Sequence, residues 1–430
     1  MFAKTVLDNG IRILSEERPG ARSVSLGIWV ENGSRHESRQ QGGISHFIEH
    51  MVFRGTLRRS AVDINREIDL LGGASNAYTG KETVCLYSRV LAEHLERLID
   101  LLADLATHGL PDGVESENEL EREREVILSE ISAVEDSPED LVGELCDRAY
   151  FGEHPLALPV AGSERAVRSL KPAQIRHHFR QHIVAHDMVV AAAGRVEHDA
   201  LVSLARRYLA EIPSGAPQPP LTAPGVERQS RVLERDLEQV HVCLSASGVA
   251  RGERRRRTGE LLSLIVGDSY SSRLFREVRD RRGLAYSIYS SLASYLDVGS
   301  FNIYFAVAPE KLDEVLAVVG GVLADVRAGG ITADELEAAK LHLRTSSLLG
   351  HEATGARMGY LAEQVMLGDS DLSLETELEA VGRVGLKELH ELAAELLAPP
   401  LALALVGPVS GDRGGTAGWE IPGCACCACA

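Results

Sequence analysis

Hydrophobic and polar residues alternate along several short stretches of the chain. SVSLGIWVENG (23–33), VCLYSRV (84–90), QVHVCLSASG (239–248) and FNIYFAV (301–307) place every second side chain on one face. A period of two marks a strand with one buried face. Other stretches switch to the helical period. LAEHLERLIDLLADLATHG (91–109) and PEKLDEVLAVVGGVLADVRAGG (309–330) predict long amphipathic helices. ENELEREREVILSEIS (117–132) and ADELEAAKLHLRTSSLLG (333–350) predict a further helix after each of them. Short apolar strands, MVVAAAG (188–194) and LALALVG (401–407), close the two series.

Read in order, these patterns occur twice. Each half runs strand, helical segment, strands, long amphipathic helix, further helix and closing strand. The helical segments GGISHFIEHMVFRGT (42–56) and SSRLFREVRDRRG (271–283) take the second place. Self-similarity over so long a period points to duplication. The expected fold class is α+β: two homologous domains, each a mainly antiparallel or mixed sheet with helices packed on one face. PSGAPQPPLTAPG (213–225) is rich in Pro and Gly and reads as a semi-rigid linker. The expected domains are therefore 1–212 and 226–408, followed by a flexible Cys-rich tail, 409–430.

Composition narrows the function. The 430 residues carry a formal charge of -18, which argues against a general nucleic-acid binder. The opening MFAKTVLDNGIRILSEERPG lacks the apolar core of a secretory signal, and no run of eighteen apolar residues occurs. A cytoplasmic protein without membrane association is expected. Cys85, Cys146 and Cys243 are scattered, whereas Cys424, Cys426, Cys427 and Cys429 crowd the last seven residues.

Chemistry concentrates at residues 46–50, His-Phe-Ile-Glu-His. On a helix, His46 and His50 lie one turn apart on one face, where two imidazoles can bind one zinc ion. Glu49 sits close to that face and can reach an activated water as general base, the H-x-x-E-H pattern. A catalytic zinc site takes three protein ligands and keeps one open position. The acidic helix 117–132 is the best source of the third. Glu123 and Glu130 are two turns apart on one face of it, and spacing alone does not choose between them.

On these residues the chain resembles the pitrilysin, insulysin and mitochondrial processing peptidase family, in its short bacterial form. GGISHFIEHMVFRGT, GGASNAYTGKETVCLY (72–87), EREREVILSEI (121–131) and SSRLFREVRDRRGLAYSIYS (271–290) carry the likeness, which spans roughly residues 1–408. The resemblance implies one zinc ion per chain, with Glu130 as third ligand and Glu123 as its supporting residue. It also implies substrate clamping and oxyanion stabilisation by Arg279 and Tyr286. Asn76 and Ala77 would meet an extended peptide at a sheet edge. The two halves would form a half-chamber with zinc on the first half only, and two chains would pair, as a homodimer or with a homologous subunit. The implied activity is zinc-dependent endopeptidase action on peptides or unfolded segments. Two alternatives stand beside it: an inactive structural subunit of the same fold, and a dedicated maturation peptidase for a peptide natural product. The tail GWEIPGCACCACA (418–430) has no counterpart in the family.

Overall fold

A computed structural model describes residues 2–73, 75–110, 114–215, 221–368 and 373–409. The tail cysteines and the 216–220 part of the linker lie outside the described residues. In chain order, the first half forms β1 (Phe2–Val6), β2 (Arg12–Glu17), β3 (Ser23–Val30), α1 (Ile44–Val52), α2 (Ala61–Leu71), β4 (Asn76–Thr79) and β5 (Val84–Leu91). It continues with α3 (Leu95–His108), α4 (Val114–Glu135), α5 (Pro138–Phe151), α6 (Glu164–Ser169), α7 (Pro172–His182), β6 (Met188–Gly194) and α8 (His198–Leu209). The second half forms β7 (Ser230–Glu234), β8 (Val240–Gly248), α9 (Arg256–Val266), a π-helical turn (Phe275–Asp280), β9 (Ala285–Ser294) and β10 (Gly299–Val307). It ends with α10 (Leu312–Arg327), α11 (Ala333–Gly350), α12 (Thr354–Met366), α13 (Leu374–Arg383), α14 (Leu386–Leu396) and β11 (Ala402–Gly407).

The chain divides into two compact units. The first joins residues 1–132, 158–222 and 348–372; the second joins 133–157, 223–347 and 373–430. The sheet of the first runs β1-β2-β6-β3-β5-β4 and that of the second β7-β11-β8-β10-β9. Both are mixed. β2 and β6 pair in parallel, as do β7 and β11, and every other pairing is antiparallel. Without β1, the two strand orders are the same topology, in keeping with two homologous domains.

The duplication aligns differently from its reading in the sequence. By element order, α9 takes the place of α1, and the turn Phe275–Asp280 takes the place of α2. The segment 271–283 is thus not the counterpart of the H-x-x-E-H helix. The misalignment arose because both segments are amphipathic and precede a strand, which periodicity cannot tell apart.

The single cut at 213–225 also gives way to an exchange. α12, from the second half of the chain, packs on the first unit's sheet. Met358, Leu361, Ala362 and Val365 cover Leu14, Trp29, Val189, Ala191 and Ala193 there. Arg357 Nε donates to Glu16 at 2.8 Å, and the Ser25 and Thr354 hydroxyls are 2.8 Å apart. In return α5 packs on the second unit's sheet, with Val142 and Cys146 against Cys243, Tyr304, Ala404 and Val406. The Tyr150 hydroxyl donates to the Gly299 carbonyl at 3.0 Å. Most helices still pack on one face of each sheet, and the lent helix covers apolar surface on the other. This accounts for MVVAAAG and LALALV, which are buried at every position and show no alternation. No described helix is long and apolar enough to cross a membrane.

Candidate metal centre

The first unit builds its site on α1. Gly43 opens the helix with a φ of 91°, and a Cβ there would lie 2.3 Å from the Ala161 carbonyl oxygen, so glycine is required. The buried Glu37 carboxylate accepts from the Gly43 N–H at 2.7 Å and the Ser45 N–H at 2.8 Å. An acceptor at this end satisfies donors that the first turn leaves free. Burial, against those hydrogen bonds, pushes Glu37 up to about 7. Ile44, Phe47, Ile48, Met51 and Val52 of α1 are buried in the core. The opposite face presents His46, Glu49 and His50.

The two imidazole rings sit 4.7 Å apart, nearly edge to face. Burial first, and the neighbouring His50 second, push His46 down to about 4, which keeps the ring neutral at physiological pH. Glu130 arrives from α4. Its Oε2 lies 3.7 Å from His46 Nε2 and 3.5 Å from His50 Nε2. The three ligand atoms fall within 4.8 Å of one another, and no other three His, Cys, Asp or Glu groups converge so closely among the described residues. Ligands on a tetrahedral zinc at about 2.1 Å stand about 3.4 Å apart. The two nitrogen–oxygen separations therefore suit a shared ion better than a direct hydrogen bond. Two imidazoles and a carboxylate are also a donor set that zinc accepts.

Glu123 and Glu130, equivalent by spacing, have different surroundings. Glu130 is half exposed beside both Nε2 atoms. The Glu123 side chain is only 4% exposed and lies on the far side of His50, with Oε2 3.2 Å from Nδ1. Its Oε1 forms an ion pair with Arg54, whose Nε lies 2.6 Å away. His46 has no such support: its Nδ1 is buried without a hydrogen-bond partner among the described residues.

Glu49 lies next to His50, and its Oε2 accepts from the Thr79 hydroxyl at 2.6 Å. Burial raises its pKa, opposed by the Thr79 hydrogen bond and by His50. Thr79 ends β4, the strand carrying Asn76 and Ala77. β4 pairs only with β5 among the described residues and forms one edge of the sheet. Asn76 is exposed, its Oδ1 accepting the Ala77 N–H at 2.9 Å, and Ala77 is buried.

Arg279 and Tyr286 belong to the second unit. The Arg279 guanidinium lies 4.7 Å from the ring centroids of both Phe275 and Tyr286. It has no carboxylate partner among the described residues. Tyr286, at the start of edge strand β9, is 77% exposed. Tyr270, Phe275, Arg279, Tyr286, Tyr289 and His342 line a hollow of about 350 Å³.

Three polar residues of the first unit escaped the sequence reading: Glu37, Arg54 and Thr79. Each acts through a side-chain contact that no periodicity reports. Arg54 and Thr79 did fall inside stretches noted for their resemblance, which was the one signal available.

Comparison with known proteins bears on this arrangement. Residues 12–164 match the family model described as insulinase, peptidase family M16, and residues 169–343 match the one described as peptidase M16 inactive domain. The chain is 34% identical over 408 residues to the uncharacterized zinc protease YmxG of Bacillus subtilis, covering 95% of this chain and 98% of that one. It is 37% identical over 415 residues to an uncharacterized zinc protease of Mycobacterium tuberculosis, covering 95% and 94%. In fold it matches a protease from Helicobacter pylori, with a TM-score of 0.86 at 20% identity over 95% of this chain and 99% of the other. A peptidase M16 inactive domain from Pseudomonas fluorescens gives 0.87 at 21% identity, over 95% and 98%. With both halves matched and relatives above 30% identity along nearly its whole length, this chain belongs to peptidase family M16, the insulinase family.

Proposed function

We propose that the chain is a zinc-dependent endopeptidase holding one zinc ion through His46 Nε2, His50 Nε2 and Glu130. The observation that carries this reading is the convergence of those three ligand atoms with Glu49 beside them on α1. The names of the zinc-protease relatives support it. When bound, zinc supplies Lewis acidity, lowering the pKa of water towards about 7 and polarising a carbonyl.

The chain's own residues do the rest. Glu49 takes a proton from the attacking water and gives it to the leaving amine nitrogen. Thr79 donates to Glu49 Oε2 and leaves Oε1 for that exchange. The raised pKa of Glu49 brings its proton affinity closer to that of its partners. An extended peptide adds to the open edge of β4, where Asn76 and Ala77 meet its backbone. Arg279 and Tyr286 donate to peptide oxygens, and such donors matter most where an oxygen gains charge.

The test is a mixed peptide library incubated with the purified chain, with and without a chelator, and read by mass spectrometry. The expected result is about one zinc per chain and cleavage that stops on chelation. Glu49→Gln is expected to keep its zinc and lose about a thousandfold in rate. A zinc-loaded wild type that cuts nothing would favour the inactive-subunit alternative. Normal cleavage by Glu49→Gln would remove Glu49 from the chemistry.

A further inference from the structure

The stretch HFIEHMVFRGT runs on past the second histidine, and neither the ligand set nor the general base uses its last three residues, Arg-Gly-Thr. We propose that Arg54 is a positioning residue of the metal centre, holding the Glu123 carboxylate in the orientation that accepts the His50 Nδ1–H. This rests on the zinc site proposed above.

The geometry is a chain of three groups. Arg54 Nε lies 2.6 Å from Glu123 Oε1, and Glu123 Oε2 lies 3.2 Å from His50 Nδ1. Each carboxylate oxygen thus faces one group, Oε1 the Arg54 cation and Oε2 the His50 ring. A carboxylate only accepts, so the proton between it and the imidazole belongs to Nδ1. His50 Nε2 then keeps its lone pair on the side where Glu130 Oε2 stands at 3.5 Å. A carboxylate partner of this kind fixes the ring orientation and basicity of a ligating histidine.

Arg54 is more than an exposed arginine near an acid. Exposed ion pairs contribute little, and the Arg54 side chain is itself 40% exposed, but Glu123 is 4% exposed. A buried carboxylate that loses its cation is costly and turns towards other partners or solvent. That reorientation removes the acceptor from His50. The backbone also aims Arg54. Its N–H donates to the Met51 carbonyl at 2.9 Å, closing the last turn of α1. Gly55 follows at a φ of 141°, a conformation side chains rarely adopt. The Thr56 hydroxyl then donates to Asp104 at 2.7 Å and accepts from the Arg58 and Arg59 N–H groups at 3.0 and 2.9 Å. Arg, Gly and Thr thereby form one device: a cation, the turn that releases it from the helix, and the anchor that fixes the turn.

The test measures zinc affinity by competition with a chromophoric chelator. It uses wild type, Arg54→Met, Arg54→Lys, Glu123→Gln and the Arg54→Met/Glu123→Gln pair. Arg54→Met is expected to weaken zinc binding about 10- to 100-fold. Arg54→Lys, which keeps the charge but not the planar donor, should recover part of that loss. In the Glu123→Gln background Arg54→Met should add no more than about twofold, because the two act in series. A purely structural role would leave the Arg54→Met loss undiminished in that background and would overturn the proposal. So would wild-type affinity in Arg54→Met. Should Arg54→Met not fold, Arg54→Gln takes its place with the same expectations. Failure of the wild type to bind zinc would instead overturn the proposed site itself.

Discussion

α1 and α9 hold the same place in two units of the same strand order, yet only α1 carries the H-x-x-E-H motif. Both turn an apolar stripe to the core: Ile44, Phe47, Ile48 and Met51 in α1, and Leu261, Leu262, Ile265 and Val266 in α9. The other face of α1 presents two imidazoles and a carboxylate. That of α9 presents Arg256 and Arg257, both paired with Glu260 on the same helix. The scaffold therefore constrains one side of the helix and leaves the other free to vary. The second unit's polar equipment sits one element later. There a π-helical turn sets Arg279 between Phe275 and Tyr286, with no carboxylate partner among the described residues. Duplication supplied two copies of a fold, and the exposed positions were then filled with different donors.

The sharpest break of this comparison is to disable each unit separately. Glu130→Gln should cost most of the zinc and the activity with it. Arg279→Met should leave the zinc content at wild type and lower kcat/KM by about 10² to 10³, the usual cost of one oxyanion donor. Loss of zinc in Arg279→Met would mean that the two roles are not separable.

A smaller effect tests how the first unit orients its base. Thr79→Val should lower kcat about 10- to 100-fold, as expected for one hydrogen bond to a charged group. KM and zinc content should stay the same, and Thr79→Ser should restore the rate. Equal losses in Thr79→Val and Thr79→Ser would show that the hydroxyl is not what matters.

The smallest effect concerns stability. His178 is buried beside His182, with ring centroids 4.1 Å apart, and its Nε2 is 3.4 Å from the Ser45 hydroxyl. Burial first, then His182, His177 and His36, push it down to about 3. A histidine depressed by folding contributes stability that is present above its unfolded pKa near 6.5. That stability is lost as pH falls towards the folded value. In chelator, His178→Gln should therefore be less stable than wild type at pH 7, and the gap should narrow by pH 4 when followed by urea unfolding. A gap independent of pH would show that folding does not depress the His178 pKa.

Much of this was legible beforehand where the signal was local. Alternation in VCLYSRV marked strand β5, because a half-buried strand repeats every two residues, whereas FNIYFAV forms strand β10 but is buried at nearly every position. The one-turn spacing of His46 and His50 placed both on one helix face. Trp29 and Cys85 face α12, a helix some 300 residues further on, and alternation along β3 or β5 carries no mark of that partner. Arg54 and Thr79 were illegible for the same reason. Their partners, Glu123 and Glu49, are distant in sequence.

By itself, then, the sequence determined the two repeats, the strand and helix periods, and the motif that offers two imidazoles and a base on one turn. These follow from backbone geometry over a few residues. Only the tertiary structure decided that Glu130 stands by the Nε2 atoms while Glu123 stands behind His50, that Thr79 holds Glu49, and that each half lends a helix to the other's sheet. Those outcomes depend on how elements far apart in the chain pack, and a hydrogen bond or a buried face is fixed by distance in space, which no spacing along the chain encodes.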